Sequence, residues 1–184
     1  MRVIAGALKG RRLTPPTWEG LRPTSDRLRE TLFNVLASRV PGAVVLDGFA
    51  GTGAVGIEAL SRGARSVAFV DRDRRATALI AANLAACGVQ DGYTIRCDDV
   101  ARVLGRWPAD EPFDLILLDP PYDIEDVAPV FDAAARVLRP DGVVVLERAT
   151  RRGPEVGSAL AHVRDVRSGD STLSIYAPRG DDAR

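Results

Sequence analysis

Asp119-Pro120-Pro121-Tyr122 sets a carboxylate, two rigid prolines and an aromatic ring side by side, directly after the apolar run Phe113-Asp114-Leu115-Ile116-Leu117-Leu118. Such a run reads as a buried strand, which puts the tetrapeptide at a strand's C-terminal end. The group suits a planar nitrogenous substrate. Tyr122 can stack on it, while the Asp119 carboxylate and the carbonyls of Pro120 and Pro121 accept hydrogen bonds from its amine. An exocyclic amine on a base is conjugated and a poor nucleophile. Accepting its N–H bonds favours a pyramidal nitrogen with a usable lone pair, so the chemistry would rest on positioning and differential stabilisation rather than on a strong base.

A second group lies upstream, in Leu46-Asp47-Gly48-Phe49-Ala50-Gly51-Thr52-Gly53-Ala54-Val55-Gly56. Gly51 to Gly56 matches the dinucleotide-binding pattern, and the acidic Asp71 follows at the end of the next apolar run. A nicotinamide-dependent oxidoreductase is therefore one reading. Against it, Asp47-Gly48-Phe49-Ala50 separates the strand from the glycines, which in the dinucleotide pattern follow the strand at once. No hydride-transfer partner is evident elsewhere. The spacing instead resembles motif I of S-adenosylmethionine-dependent methyltransferases. That resemblance implies a nucleoside without phosphates against the glycines Gly51 and Gly53, and Asp47 taking the ammonium of the methionine moiety. It implies Asp71 on the ribose hydroxyls and Asp98, with the backbone at Asp99 or Val100, on the adenine. Phe49 and Arg72 complete the implied cofactor set.

The elements that must position these groups alternate. Strands are expected over 43–47, 66–71, 93–97, 113–119 and 143–147, with helices over 53–61, 74–86, from 99, and over 124–138, the last ended by Pro140-Asp141-Gly142. This rhythm predicts an α/β, Rossmann-like sheet, mostly parallel, with helices on both faces. Two more strands, 161–168 and 171–177, flank Gly169-Asp170, a pair suited to a tight hairpin, so an antiparallel pair should close the sheet near the C-terminus. Ahead of the alternation, 2–6 and 9–13 read as a short hairpin and 14–24 as a loop. A helix capped by Thr24 or Ser25 is expected to run to about Arg39, with Leu28, Leu32, Phe33 and Leu36 on its apolar face.

Composition narrows the class. The chain of 184 residues, 46% hydrophobic and without a long apolar run, reads as a soluble, cytoplasmic protein without a membrane span or secretory leader. Cys87 and Cys97 lack metal spacing and read as free thiols; no metal is expected. His162, the one histidine, lies far from both motifs and reads as an ordinary strand residue. Net charge is zero but unevenly spread. Residues 1–40 carry eight basic and three acidic side chains, a balance of +5, against 17 basic and 22 acidic, a balance of −5, in the remainder. A basic end on an acidic body suggests contact with a polyanion.

Arg22-Pro23-Thr24-Ser25-Asp26-Arg27-Leu28-Arg29-Glu30-Thr31-Leu32-Phe33-Asn34-Val35-Leu36, with Arg2-Val3-Ile4-Ala5-Gly6, Lys9-Gly10-Arg11 and the two motifs, resembles the bacterial family that methylates guanine N2 in 16S ribosomal RNA. The tetrapeptide at Asp119 resembles motif IV of the amino-methyltransferases that modify exocyclic or amide nitrogens, which implies catalytic roles for Asp119, Pro120, Pro121 and Tyr122. The resemblance implies a seven-stranded class I methyltransferase domain over 41–178, a basic, RNA-contacting extension over 1–40 and a frayed tail over 179–184. It implies S-adenosylmethionine as donor and S-adenosylhomocysteine as product. It also implies ribosomal RNA as partner, in an assembling or assembled small subunit, with a monomer sufficing. Arg2, Lys9, Arg11, Arg12, Arg22, Arg27 and Arg29 would contact phosphates, although Asp26 and Arg29 can equally pair to dock the helix. A DNA amino-methyltransferase, a protein glutamine methyltransferase, a nicotinamide-dependent oxidoreductase and a cofactor-binding module without catalysis stay open as alternatives.

Overall fold

A computed structural model of the protein describes residues 1–18, 24–121, 126–150 and 159–179. Helix α1 (Asp26–Val35) precedes the alternation β1 (Val44–Gly48), α2 (Ala54–Ser61), β2 (Ser66–Asp71), α3 (Arg74–Cys87), β3 (Tyr93–Cys97), α4 (Val100–Arg106), β4 (Phe113–Leu118) and α5 (Ala128–Val137). Strands β5 (Leu138–Ala149), β6 (Leu160–Ser168) and β7 (Ser171–Pro178) follow. The seven strands form one sheet in the order β3-β2-β1-β4-β5-β7-β6. Strands β1 to β5 pair in parallel, while β7 runs antiparallel to both β5 and β6. The expected closing hairpin is present, with Gly169 at φ 63° in its turn.

Side chains alternate between two cores, as the two-residue period of a strand requires. Val45, Val67, Phe69, Leu115, Leu117, Val143 and Val145 face one cluster, with α1, α2 and α3. Leu46, Ala68, Val70, Ile116, Leu118, Val144 and Leu146 face the other, with α4 and α5. Val3 and Leu13 of the amino-terminal segment join the first cluster together with Leu28, Leu32, Phe33 and Leu36 of the α1 segment. The amino-terminal residues therefore pack as part of one helical layer. Among the described residues no helix is long and apolar enough to cross a membrane.

Several boundaries differ from the expectation. Ser25 caps α1, its Oγ accepting from Leu28 N at 3.2 Å, but the helix stops at Val35. Residues 36–40 tighten into turns, with Arg39 N and Val40 N both donating to Leu36 O, and this brings Val40 into the core. The amino-terminal hairpin reduces to a single antiparallel bridge between Arg2 and Arg12, supported by Val3 N to Arg11 O and Leu13 N to Met1 O. The Pro140-Asp141-Gly142 turn lies inside β5 instead of separating a helix from a strand. Leu138 pairs with Phe113 and Val143 with Leu115, so residues 139–142 bulge opposite Asp114 alone. A bulge is where a strand tolerates a proline, because no ladder bond needs its missing N–H. The start expected for α5, at 124, lies outside the described residues.

Candidate active site

The chain runs outward from β1 to β2 and β3, then returns to β4 beside β1. Ligands of such sheets sit at the strands' C-terminal ends where the order reverses. Asp47, the penultimate residue of β1, lies on one side of that switch point, and Asp119 follows β4 on the other. Asp119 N still donates to Gly48 O at 3.4 Å, continuing the β1–β4 pairing.

The loop after β1 is shaped by backbone conformations that few residues adopt. Gly51 and Gly53 have φ of 55° and 75°, and Gly53 caps α2 without a side chain. Phe49 has φ 60°, an uncommon state for a bulky residue, while its side chain packs against the second core. Gly56 is required by contact: a Cβ there would lie 2.2 Å from the Phe69 ring and 2.9 Å from Asp47 Oδ2. One N–H of the loop and one of the first turn of α2 are held by the site's own acids. Gly56 N donates to Asp47 Oδ2 at 2.8 Å, and Gly51 N donates to Asp71 Oδ2 at 2.9 Å. Asp71 Oδ1 accepts from Asp73 N at 2.9 Å.

Asp47 is 3% exposed. Burial pushes its carboxyl well above the usual carboxylate range; the Gly56 N–H pulls against that, and the charges of Asp119 and Asp71 add to the rise. Asp47 thus feels the charge of both neighbouring acids.

At the β3 end, Asp98 Oδ1 accepts from Asp99 N and pairs with Arg102 Nη1 at 2.8 Å. Asp99 caps α4, its Oδ1 accepting from Arg102 N at 3.0 Å. Arg72 is exposed, and its carbonyl lies 3.8 Å from Cys97 Sγ. Cys87 and Cys97 are both free thiols. His162 pairs with Asp165 at 2.8 Å on the outer strands.

Around Asp119 the walls come from distant parts of the chain. Thr24 Oγ1 donates to Asp119 Oδ2 at 2.7 Å. A cavity between α1 and the sheet is lined by Thr24, Leu28, Asp47, Asp119, Glu147 and Leu173, among others. Pro120 is half-buried and Pro121 exposed; Tyr122 lies outside the described residues. Thr24 and Glu147 are the members of this site that the sequence reading does not single out. Thr24 is legible only as a rival helix cap to Ser25, and Glu147 only as the last residue of a strand. Glu147 Oε1 accepts from Ser171 Oγ at 3.0 Å.

The basic extension is only partly a surface. Arg2, Lys9 and Arg27 line one open groove with Asp26 and Glu30, and Arg11 and Arg12 are exposed beside it. Arg22 lies outside the described residues. A phosphate contact for Arg29 is corrected by its burial, at 0% exposure. Its Nη2 donates to Arg2 O at 2.8 Å and to Asp26 Oδ1 at 2.6 Å, which docks α1. Three further side chains fix the extension on the sheet's helices. Glu58 accepts from Ile4 N and Ala5 N, Ser61 Oγ accepts from Leu8 N, and Asn83 bonds both backbone groups of Thr14 and the carbonyl of Thr52 in the glycine loop.

The family model described as conserved hypothetical protein 95 matches residues 1–177. YlbH of Bacillus subtilis strain 168, named a candidate rRNA methyltransferase, is 35% identical over 184 residues, covering 98% of this chain and all of that protein. Ribosomal RNA small subunit methyltransferase D of Escherichia coli K12 is 38% identical over 122 residues, or 66% of this chain and 60% of that protein. This last match spans less than two thirds of the relative's length. Among solved structures, the candidate methyltransferase yhhF of Escherichia coli superposes with a TM-score of 0.84 at 27% identity, covering 98% and 99% of the two chains. A hypothetical protein from Thermus thermophilus superposes with a TM-score of 0.80 at 30% identity, covering 95% and 98%.

Proposed function

The chain belongs to the small-subunit rRNA methyltransferase D family, and from that premise we propose that it transfers a methyl group from S-adenosylmethionine to the exocyclic N2 of a guanine in 16S ribosomal RNA. One observation carries the choice of donor. The N–H groups of Gly51 in the loop and Gly56 in the first turn of α2, which a pyrophosphate would need, are occupied by the carboxylates of Asp71 and Asp47. Three acids at neighbouring strand ends repel a dinucleotide's phosphates and attract a cation. S-adenosylmethionine brings both a sulfonium and an ammonium and no phosphate. The residues fit it: Asp47 for the ammonium, Asp71 for the ribose hydroxyls, Asp98 or the backbone of Asp99 for the adenine, with Phe49 and Arg72 flanking the loop.

When bound, the donor supplies an electrophilic methyl carbon. The protein's own work is on the acceptor. Asp119 and the Pro120 carbonyl accept the N–H bonds of the guanine amine, and Tyr122 stacks on the base. With the amine held in that way its N2 lone pair would face the donor's methyl carbon, sulfur would keep the electrons of the broken methyl–sulfur bond in S-adenosylhomocysteine, and the proton of the methylated nitrogen would pass to solvent. Arg2, Lys9, Arg11, Arg12, Arg22 and Arg27 hold phosphates, which fixes the register of the RNA without reading its sequence. The target must leave its stack to reach Tyr122, which favours a loop nucleotide of the small subunit.

The deciding experiment maps N2-methylated guanines in 16S rRNA from cells with and without the protein. One guanine should lose its methyl group and regain it when the gene is returned. Identical maps would overturn the acceptor assignment.

A further inference from the structure

We propose that Thr24 is a positioning residue for methyl transfer: its hydroxyl sets the rotation of the Asp119 carboxylate against the acceptor nitrogen. The inference rests on the reading of Asp119 as the acceptor-binding acid and names what orients it. Thr24 Oγ1 donates to Asp119 Oδ2 at 2.7 Å across 95 residues of chain, and both side chains line the cavity that also holds Asp47. The terminal torsion of an aspartate is broad, so a carboxylate at the end of a strand has no intrinsic reason to present one oxygen edge to a substrate. A short bond to an ionised oxygen is strong and directional.

Thr24 is itself held still. It directly precedes Ser25, the residue capping α1, and α1 is anchored by the buried Leu28, Leu32 and Phe33. Arg29 then ties α1 to the amino-terminal strand segment through Arg2 O. The acceptor acid thus takes its orientation from the same segment that carries the groove of Arg2, Lys9 and Arg27. RNA seated on that segment and the acid that receives its guanine share one rigid support.

The test compares Thr24→Val, which keeps the shape without the hydroxyl, Thr24→Ser, which keeps the hydroxyl, Asp119→Asn, and the Thr24→Val/Asp119→Asn double variant. Single-turnover methylation of small-subunit RNA is measured at saturating donor, with S-adenosylmethionine affinity and thermal unfolding measured alongside. Thr24→Val should slow transfer by about tenfold to a hundredfold, the loss expected for one hydrogen bond to a charged group, with donor affinity and unfolding midpoint unchanged. Thr24→Ser should restore most of the rate, and Thr24→Val should cost nothing further in the Asp119→Asn background. A wild-type rate in Thr24→Val with Asp119→Asn inactive would overturn the positioning role alone, as would an equal loss in both backgrounds or a loss matched by a lower unfolding midpoint. Full turnover in Asp119→Asn would instead overturn the acceptor reading beneath it.

Discussion

The two halves of the sheet's C-terminal edge are held together in different ways. Over β1, β2 and β3 the acids bond to backbone at their own or the neighbouring strand end: Asp47 to Gly56, Asp71 to Gly51 and Asp73, Asp98 to Asp99. Those separations run from 1 to 20 residues, and Asn83 ties the same glycine loop to Thr14 of the extension through backbone bonds to Thr52 and Thr14. Over β4, Asp119 takes a hydrogen bond from Thr24, and the wall facing it is built by Leu28 and Leu32 of α1. A half whose acids are fixed by backbone at its own strand ends suits a small ligand met in one form. A half completed by a distant basic segment suits a macromolecule that must be seated before its reacting group is presented. The amino-terminal extension is thus a wall of the cavity at Asp119, the proposed acceptor site, as well as a surface.

The contrast breaks most visibly at Asp119. Asp119→Ala should reduce methyl transfer by about a hundredfold to a thousandfold, as loss of an electrostatic partner of the reacting group does, while calorimetry finds S-adenosylmethionine affinity nearly unchanged. A large loss of donor affinity would mean that the halves are not separable; undiminished turnover would remove Asp119 from the chemistry.

The donor half can be sharpened by pH. Asp47 binds a proton more readily in the folded protein than in the unfolded chain, because burial raises its carboxyl and the charges of Asp119 and Asp71 add to the rise against the pull of Gly56. Its contribution to stability is therefore present at low pH and is lost as pH rises from the ordinary carboxylate value through the raised one. A cationic ligand favours the ionised form, so donor binding should expel a proton. Affinity should climb with pH across that window, by at most about tenfold per unit, and level off above it. Asp47→Asn should flatten that dependence, weaken donor binding and raise the unfolding midpoint of the free protein. Equal binding enthalpies in buffers of different ionisation heat, across that window, would show that no proton leaves.

How much of this the sequence discloses follows the same division. Ser25 ahead of Leu28, Leu32 and Phe33 is legible as a capped amphipathic helix, and the glycines at 51 and 53 mark a loop that needs positive φ. Acids at successive strand ends are legible because each sits next to the apolar run that places it. Signals fail where a residue acts at a distance. Glu58, Ser61 and Asn83 look like ordinary helix polars, yet each bonds backbone of the amino-terminal segment 53 to 69 residues away. Arg29 looks like one more cation in a basic segment until the fold buries it. Pro140 and Gly142 carry the marks of a helix stop and turn, which local reasoning cannot tell from a bulge inside a strand. There a Gly142 side chain would meet Leu138 at 2.8 Å and Asp114 O at 3.0 Å.

The smallest expected effect tests whether the wall is also a surface. Arg11 and Arg12 are exposed at the amino-terminal hairpin, and the pairing of residues 2 and 12 needs their backbone rather than their charge. Replacing both with glutamine should leave donor affinity, unfolding and the saturated rate of transfer in place. Each phosphate contact on a single strand contributes about 0.7 to the slope of log affinity against log salt, so the double variant should flatten that slope by about 1.4. The accompanying weakening of RNA binding should be largest at low salt and fade as salt rises, because the lost term is counterion release. An unaltered slope would take the hairpin out of the RNA interface and leave the groove of Arg2, Lys9 and Arg27 to hold the RNA. A flattened slope with a lower saturated rate would mean that phosphates seated on the hairpin also orient the acceptor. The extension would then act on Asp119 through the RNA it holds as well as through Thr24.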